Sequence, residues 1–575
     1  MSYEKEYQRW LSSSVLTDAE REELISISDN EELKEFRFSN PMSFGTAGLR
    51  STMYLGIGCM NIYTVAQTTR GIAALVINEG GQERGVAIAY DSRNNSERFA
   101  RVCASVLASR GIKVYIFNSL RPTPELSFAV RELGALAGIN ITASHNPKEY
   151  NGYKAYWEDG AQINPQQARV VSDERAKFDV LDTEGIDYFD AGIAAGLITV
   201  LDEDFDKRYL DAVLKTAIRP EYITAIADKL KVVYTPLHGA GYRLVPEVFK
   251  RVGLKHLYTV DAQMTPDGNF PTVKKPNPEY SDVFTLGIEI ADKVGSDLVI
   301  ATDPDSDRVG VMARGEGGKF VTISGNQMGA LLLDYVITAR REEGRLPEGA
   351  FCAKSIVSTD MAYKICEVNG IKLYDVYTGF KFIGEVVKQY EARGEEDKFL
   401  LGFEESYGYL LGSYARDKDA VEASMMILEM CAYYEAKGMT LIDALSALYK
   451  KYGYFKECVT DIYMEGLDGI ERRRRVMQTL RDSAPTAFGG SRVVEVRDYL
   501  GGTVTDLVTG EVSSTGYDPS DVLYYVLECG DKVIVRPSGT EPKIKIYVLC
   551  HDTDERALDE KLENYRADAK KIGEI

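Results

Sequence analysis

Short apolar runs alternate along the chain with segments whose apolar residues recur at helical spacing. A helical pattern at residues 98–109, for example, lies between two such runs. Continuous apolar runs of this length are typical of buried strands, and their alternation with helices predicts α/β domains. The runs lie at residues 86–89, 114–117, 135–141, 232–235, 298–301 and 398–401.

The two ends of the chain depart from this alternation. Residues 17–20, with the sequence Thr-Asp-Ala-Glu, form a capping box that predicts an N-terminal helix reaching Ile27. After Tyr454 the apolar segments are mostly strand-like, and an amphipathic helix is predicted from Asp554. The pattern therefore predicts α/β structure followed by a smaller C-terminal α+β domain. We place boundaries near residues 205, 322 and 454, which divide the chain into residues 1–204, 205–321, 322–453 and 454–575.

Composition narrows the class of protein. The 575 residues are enough for about three to five domains, and the 45% hydrophobic and 27% charged fractions are those of a soluble globular protein. A formal net charge of −20 argues against binding to nucleic acid or an anionic membrane. We expect no leader peptide, because the first residues lack a basic and apolar pattern, and no run approaches the ~20 apolar residues that span a membrane. A cytoplasmic location is expected.

The eight cysteines are scattered, without a CxxC pair or zinc-type spacing. We expect reduced thiols, several of them small core residues, such as Cys103, Cys431 and Cys550. Gly56 and Gly58 lack the third glycine and the acidic residue of a dinucleotide fingerprint, so no nicotinamide cofactor is inferred.

Ser144 has the sequence context of an exposed nucleophile. It follows the apolar run at residues 135–141 and lies in the segment Thr-Ala-Ser-His-Asn-Pro at residues 142–147. The alternative is an ordinary structural turn, because Ser and Asn-Pro are common turn residues. A hydrolase triad with His145 is disfavoured, because neighbouring side chains on an extended turn diverge and there is no Gly-x-Ser-x-Gly elbow.

An acidic loop follows the run at residues 298–301. Asp303, Asp305 and Asp307 alternate, and in an extended segment they would share one side. Such oxygen ligands suit Mg²⁺, with room left for a phosphate oxygen. An EF-hand is excluded because the sixth and twelfth positions are Arg308 and Arg314. A solvated acidic turn is the alternative.

Two further loops suggest contacts to a sugar and to a phosphate. Residues 402–409, with Glu404, Glu405 and Ser406 between glycines, offer acceptors and donors for sugar hydroxyls, although a polar turn explains them equally well. Residues 536–543 lie between strand-like segments and combine the fork of Arg536 with hydroxyls and a glycine. This combination favours phosphate binding.

With these four loops in this order, the chain resembles the α-D-phosphohexomutase superfamily. The resemblance runs from residues 44–50, with the sequence Phe-Gly-Thr-Ala-Gly-Leu-Arg, to the Arg536 loop. It implies a four-domain enzyme of mixed-sheet α/β domains and a smaller C-terminal domain, in which each domain gives one loop to a central cleft.

Within the superfamily the chain is most similar to the phosphoglucomutase branch, in particular the bacterial type close to the phosphoglucomutase-2/phosphopentomutase group. Relatives acting on mannose or glucosamine phosphates carry histidine where this chain has Gly408. Residues 378–384, which begin with Thr378 and Gly379 and include Lys381, resemble the loop that reads the orientation of the sugar. Pentose and mannose phosphates stay open as alternatives.

The resemblance also implies a mechanism. Phospho-Ser144 would give its phosphoryl group to glucose 1-phosphate, and the bound glucose 1,6-bisphosphate would return the other group to Ser144. Mg²⁺ would be held by the three aspartates and a phosphoserine oxygen. Lys154 matches the proposed acid/base, with its pKa lowered by Arg50, and His145 is the rival proton carrier. The implied substrate contacts are Arg308, Thr378, Gly379, Lys381, Glu404, Ser406, Lys418, Arg536, Ser538, Gly539 and Thr540.

Different functions remain open at this level. A Mg²⁺-dependent sugar phosphatase would share the acidic loop, and a glucose 1,6-bisphosphate synthase or sugar-phosphate sensor would keep the binding loops. The sequence leaves monomer and dimer equally open.

Overall fold

A computed structural model describes residues 2–45, 48–464, 469–538 and 543–574. Three short helices precede the first sheet: α1 (Tyr3–Leu11), α2 (Asp18–Ile25) and α3 (Glu31–Phe38). The capping box predicted for α2 is present, since Thr17 and Glu20 cap each other's backbone. The helix ends at Ile25, two residues before the predicted end, where the Ser26 hydroxyl instead bonds the carbonyl of Glu23.

The first sheet has the strand order β1-β5-β4-β2-β3-β6. Its central strands β2, β3, β4 and β6 are parallel, and β5 and β1 add an antiparallel edge. The strands are β1 (Leu49–Thr52), β2 (Val86–Tyr90), β3 (Val114–Phe117), β4 (Ala137–Ile141), β5 (Tyr150–Trp157) and β6 (Ile198–Leu201); the helices are α4 (Ile62–Asn78), α5 (Ser96–Ser109), α6 (Thr123–Glu132), α7 (Pro165–Arg175) and α8 (Phe189–Ala194).

The second sheet has the order β11-β10-β9-β7-β8 and is also mixed. Its strands are β7 (Lys231–Thr235), β8 (His256–Thr259), β9 (Leu298–Thr302), β10 (Val309–Arg314) and β11 (Phe320–Ile323); the helices are α9 (Glu203–Leu214), α10 (Glu221–Ala225), α11 (Gly241–Arg251), α12 (Asp261–Met264) and α13 (Thr285–Val294).

The third sheet has the order β13-β12-β14-β15, with β15 antiparallel to β14. Its strands are β12 (Phe351–Ser355), β13 (Lys372–Val376), β14 (Phe399–Glu404) and β15 (Gly408–Leu410); the helices are α14 (Gly325–Glu342), α15 (Met361–Asn369), α16 (Phe380–Glu391), α17 (Ala420–Ala436) and α18 (Leu441–Tyr452).

The last sheet is antiparallel, with the order β16-β23-β22-β21-β18-β19-β20 and β17 beside β18. Its strands are β16 (Tyr454–Tyr463), β17 (Ala487–Phe488), β18 (Ser491–Asp498), β19 (Thr503–Asp506), β20 (Val512–Ser514), β21 (Leu523–Leu527), β22 (Lys532–Pro537) and β23 (Lys543–Asp552); the helices are α19 (Gly469–Asp482) and α20 (Glu555–Lys571). Short 3-10 segments lie at Ser281–Phe284, Glu316–Gly318, Glu396–Lys398 and Ile572–Glu574.

The hydrophobic cores show how these layers are joined. One large cluster contains side chains from both the second and the third sheet regions, such as Tyr234 and Leu332. The last sheet has its own cluster, which includes Val533 and Leu558. It contacts the third through a smaller aromatic cluster around Tyr377. In the described part of the chain, no helix is long and apolar enough to span a membrane.

The sheets place four loops at strand ends. β4 leads into the Ser144 loop, β9 into the Asp303 loop, β13 into the Thr378 loop and β14 into the Glu404 loop. All residues of β4, β9 and β14 are buried, which explains their continuous apolar sequences. The carboxyl ends of strands are where α/β folds bind ligands.

Candidate active site

The loops predicted around Ser144, Asp303, Glu404 and Arg536 meet, in their described parts, around one cavity of about 1000 Å³. Nearly all of the described residues that the sequence predicts for the site line this cavity. Asp303 and Asp305 are buried and are not among the lining residues. The predicted residues in the lining are Arg50, Ser144, His145, Lys154, Asp307, Arg308, Thr378, Gly379, Lys381, Glu404, Ser406, Lys418, Arg536 and Ser538. Gly539 and Thr540 lie outside the described residues.

Ser144 is held in a tight left-handed turn. Its φ is 51°, a region that side-chain-bearing residues seldom adopt, and its backbone N–H donates to the Thr142 hydroxyl at 2.8 Å. Its own hydroxyl donates to Asp303 Oδ2 at 2.6 Å. The turn therefore aims the Ser144 oxygen at the acidic loop.

Asp91 and Arg93, just after the end of β2, support this turn. Asp91 accepts from the Thr142 hydroxyl at 2.6 Å and lies 3.3 Å from the Arg93 guanidinium. Arg93 donates to the carbonyls of Ser144, Asn146, Pro147 and Tyr150. One buried guanidinium thus satisfies the inner backbone acceptors of the serine loop.

The three aspartates converge, but not for the reason that the sequence suggests. The segment is a turn and not an extended strand: Ser306 has a φ of 52°, and its N–H donates to the carbonyl of Asp303. The N–H groups of Asp307 and Arg308 donate to Asp303 Oδ1 at 3.1 and 3.0 Å. This turn brings one carboxylate oxygen of each aspartate within 4.8 Å of the others.

This group has the chemistry of a metal site. All three carboxylates are buried, and Asp305 Oδ1 and Asp307 Oδ1 have no hydrogen-bond partner among the described residues. Burial and the two neighbouring carboxylates raise the pKa of Asp303 well above its ordinary value. Buried carboxylates with unused oxygens are stabilised by a cation, so these residues fit a hard divalent ion.

Lys154 lies against the same carboxylates. Its ammonium is 2.7 Å from Asp305 Oδ2 and 3.3 Å from Asp307 Oδ2. The expected lowering of its pKa by Arg50 is wrong. Burial lowers the pKa of Lys154, but the two carboxylates outweigh it and the net pKa is raised; the opposing cation is Lys418. Arg50 instead donates to Asn146 Oδ1 at 2.7 Å.

His145 lies closer to the serine than predicted. Its Nδ1 is 3.2 Å from Ser144 Oγ, so the two neighbouring side chains do not diverge. The left-handed backbone of Ser144 is the reason, because it departs from an extended turn. Burial and the nearby cations Arg308 and Arg50 lower the pKa of His145 well below its ordinary value. This shift favours the neutral imidazole.

On the opposite side of the cavity, Glu404 accepts from the Gly379 N–H at 2.6 Å, which joins the two loops predicted to read the sugar. Burial raises the pKa of Glu404 to about 6. Glu405 is occupied with the hydroxyls of Ser355 and Ser358. Both carboxylates line the cavity.

The cations around the cavity have different environments. Arg308 pairs with Glu279 at 2.7 Å, and Lys418 with Asp417 at 2.8 Å and Asp307 at 3.3 Å. Lys381 differs, because burial lowers its pKa to about 8. Arg416 pairs with Glu391 at 2.8 Å.

Sequence reasoning missed three residues that hold the site together. The Thr123 hydroxyl donates to Asp305 Oδ2 at 2.9 Å, Glu279 pairs with Arg308, and Asp417 accepts from Tyr156 and Gln162 besides Lys418. Asp417 was discoverable from its place between Arg416 and Lys418. Thr123 and Glu279 lie in Pro-rich segments whose sequences give no sign of contact with the acidic loop.

Family models match most of the chain in four consecutive segments. They describe phosphoglucomutase/phosphomannomutase alpha/beta/alpha domain I at residues 41–179, domain II at 207–317, domain III at 324–452 and the C-terminal domain at 490–567. The chain belongs to the phosphoglucomutase/phosphomannomutase family. The predicted superfamily and four-domain architecture are confirmed, and the loops of Ser144, Asp303, Glu404 and Arg536 each lie in a different family domain.

Several known proteins resemble the chain over nearly its whole length. A phosphoglucomutase of Staphylococcus aureus is 36% identical over 522 residues, which cover 90% of this chain and 92% of that protein. The open form of the Paramecium phosphoglucomutase parafusin has the same fold, with a TM-score of 0.67, 17% identity and coverage of 94% and 95%. An Aspergillus fumigatus N-acetylphosphoglucosamine mutase in complex with GlcNAc-6P and magnesium has a TM-score of 0.50, 12% identity and coverage of 97% and 100%.

Proposed function

We propose that the chain is a phosphoglucomutase that interconverts α-D-glucose 1-phosphate and glucose 6-phosphate through phospho-Ser144 and a bound glucose 1,6-bisphosphate. The observation that carries the proposal is the 2.6 Å contact of Ser144 Oγ with Asp303, in a cavity whose far side holds Glu404 and Arg536. A nucleophile, an acidic metal-type group, a sugar contact and a distal cation thus share one space. The family and the relatives named phosphoglucomutase support the glucose substrate.

We infer that Asp303, Asp305 and Asp307 hold Mg²⁺ together with an oxygen of phospho-Ser144. Their buried, partly unpaired oxygens fit this ion, which when bound would neutralise negative charge on the transferring phosphoryl group.

The remaining residues position the reactants. We assign the sugar hydroxyls to Glu404, Ser406, Thr378 and Gly379, next to Lys381. The distal phosphate is assigned to Arg536, Ser538, Gly539 and Thr540, and the phosphate near the serine to Arg308, Arg50 and Lys418. Planar guanidinium groups and backbone donors suit phosphate oxygens, and Glu404 is a strong acceptor for hydroxyls.

The transfer exchanges one P–O bond for another. A free hydroxyl oxygen of the sugar forms a bond to phosphorus while the bond from phosphorus to Ser144 Oγ breaks. The hydroxyl proton must leave and Ser144 Oγ must regain one in the overall step. We assign this proton transfer to Lys154, and keep His145, 3.2 Å from Ser144 Oγ, as the alternative carrier.

The same residues are compatible with other substrates and reactions, which the test below distinguishes. Pentose or mannose phosphates would use the same serine chemistry, a glucose 1,6-bisphosphate synthase would release the intermediate, and a Mg²⁺-dependent phosphatase would admit water. We also propose a cytoplasmic location, which the free state of the described cysteines supports, and small sugar phosphates as the ligands.

Phosphorus NMR tests the proposal. Glucose 1-phosphate, Mg²⁺ and a trace of glucose 1,6-bisphosphate are followed with wild type, Ser144→Ala, Lys154→Met and His145→Ala, with ribose 1-phosphate and mannose 1-phosphate in parallel. We expect rapid glucose 6-phosphate formation, lost in Ser144→Ala and slowed roughly 10²–10⁴-fold in the variant that lacks the proton carrier. Release of inorganic phosphate, or full activity of Ser144→Ala, would contradict the proposal.

A further inference from the structure

Gly408 is a glycine whose backbone does not require one. It begins β15, lies opposite Glu404 in the β14–β15 register, and has a φ outside the left-handed region. A Cβ atom at this position would lie 2.1 Å from Cδ and 2.7 Å from Cγ of Lys418. The space that a side chain would occupy is therefore filled by the stem of Lys418.

The stem of Lys418 is constrained at both ends. Its ammonium contacts Asp417 Oδ1 at 2.8 Å and Asp307 Oδ2 at 3.3 Å, and Asp417 is itself held by the Tyr156 hydroxyl at 2.9 Å. The side chain is only 9% exposed. A Cβ at residue 408 would collide with the middle of the Lys418 side chain and not with its terminal ammonium. The Lys418 side chain could not keep its conformation.

We propose that Gly408 is a positioning residue. Because it has no side chain, it leaves the space through which the Lys418 side chain extends into the cavity and reaches Asp307. The inference rests on the proposed function, in which Lys418 contacts the phosphate near Ser144. Any side chain at residue 408 displaces the ammonium from the acidic loop. The glycine thus acts through Lys418 and touches no reacting atom.

A double-mutant cycle tests this coupling. We compare kcat and KM for glucose 1-phosphate in wild type, Gly408→Ala, Lys418→Ala and the double variant. Loss of a charged contact lowers kcat/KM by roughly 10- to 100-fold, so Gly408→Ala and Lys418→Ala should each show a loss of this size. In the Lys418→Ala background the Cγ and Cδ atoms that the added Cβ would strike are gone. There, Gly408→Ala should change kcat/KM by less than about twofold.

Gly315→Ala is the matched control. A Cβ at Gly315 meets no atom closer than 3.4 Å, and its φ is −98°. We expect wild-type kinetics for this variant. Equal losses from Gly408→Ala in both backgrounds, or no loss in either, would overturn the proposal.

Chemical labelling gives a second readout that does not depend on activity. Lys418 and Lys154 are both buried, so an amine acylating reagent followed by mass spectrometry should modify each only slowly in wild type. In Gly408→Ala the modification of Lys418 should rise several-fold while Lys154 stays protected. Unchanged labelling of Lys418, or a parallel rise at Lys154 that indicates general opening of the site, would overturn the proposal.

The two readouts separate this inference from the function on which it rests. If wild type fails to convert glucose 1-phosphate, the proposed function fails, and the labelling alone decides whether Gly408 leaves the space for Lys418. If wild type is active and the cycle shows no coupling, only the role of Gly408 fails.

Discussion

Individual lysines in the cavity differ in what balances their charge. Lys154 and Lys418 face Asp307, whereas burial alone lowers the pKa of Lys381 to about 8. A buried ammonium without a compensating carboxylate is stabilised when a phosphate or other anion approaches it. The environment of Lys381 therefore suits direct contact with an anionic substrate.

We expect Lys381 to give KM a pH dependence. Only the protonated form attracts phosphate, and its ordinary pKa of 10.5 is lowered to about 8, so KM should rise as pH increases through 8. Loss of such a charged contact changes KM by roughly 10- to 100-fold. Initial rates between pH 6.5 and 9.5 measure the effect.

Lys381→Arg is the control for this titration. Arginine stays protonated over the whole range, so its KM should stay level through pH 8, while Lys381→Met should show a high KM at every pH. An unchanged rise of KM in both variants would assign the titration to another group.

At the scale of elements, the Ser144 turn depends on the adjoining loop at the end of β2. The buried pair of Asp91 and Arg93 satisfies the turn from inside, while φ at Ser144 is 51°. A backbone in this region persists only when its surroundings hold it. The stability of this loop and the reactivity of Ser144 are thus coupled.

Replacing Arg93 by methionine should both destabilise the protein and slow turnover. Breaking a buried ion pair costs about 3–5 kcal/mol, and the carbonyls of Ser144 and Asn146 would lose their donor. Urea unfolding followed by circular dichroism measures the first effect, and steady-state kinetics the second.

Arg84→Met provides the comparison, because Arg84 pairs with Glu158 in an exposed position where both side chains are about half accessible. Its expected change in unfolding free energy is about 1 kcal/mol or less. Arg93→Met with wild-type stability and wild-type kcat would show that the serine turn does not need this support.

The strands were largely predictable, because buried strands have continuous apolar sequences. The run at residues 114–117 coincides with β3, and that at 298–301 lies within β9. The geometry of the loops was less predictable from the sequence. The turn at Ser306 depends on N–H groups that bond Asp303, and the contact of His145 with Ser144 depends on a left-handed φ. Neither leaves a periodic signal in sequence.

The cation environments were the least predictable part of the site. The residue types around Lys154 were foreseen, but the sign of its pKa shift was not, since it depends on the 2.7 Å contact with Asp305. Such contacts join residues more than a hundred positions apart. The superfamily resemblance implied the roles of these residues. Which residues lie next to them follows only from the three-dimensional structure.

At the scale of the whole molecule, we expect the last sheet to be the part that moves. Its core is separate from the larger core that contains side chains of the second and third sheet regions. It contacts the third region through the aromatic cluster of Tyr377 and Tyr499 and the 2.7 Å ion pair of Lys532 with Asp360. We keep the proposed domain limits near residues 205, 322 and 454, and we propose that the last of them is the hinge.

We predict that this domain closes over bound substrate. Small-angle scattering with and without glucose 1,6-bisphosphate should show a small decrease in the radius of gyration. For a compact chain of this length the radius is on the order of 25 Å, and we expect a change of less than about a tenth of it. Superimposable profiles at saturating ligand would contradict closure.

The most direct test of the account is to locate the phosphoryl group during turnover. The protein is incubated with Mg²⁺ and glucose 1,6-bisphosphate carrying ³²P, digested and mapped, and the labelled enzyme is then chased with unlabelled glucose 1-phosphate; Ser144→Ala is treated in parallel. We expect label on Ser144 that the chase removes into sugar phosphate, and no label in the variant. Label on another residue, or turnover in Ser144→Ala without a phosphoenzyme, would contradict it.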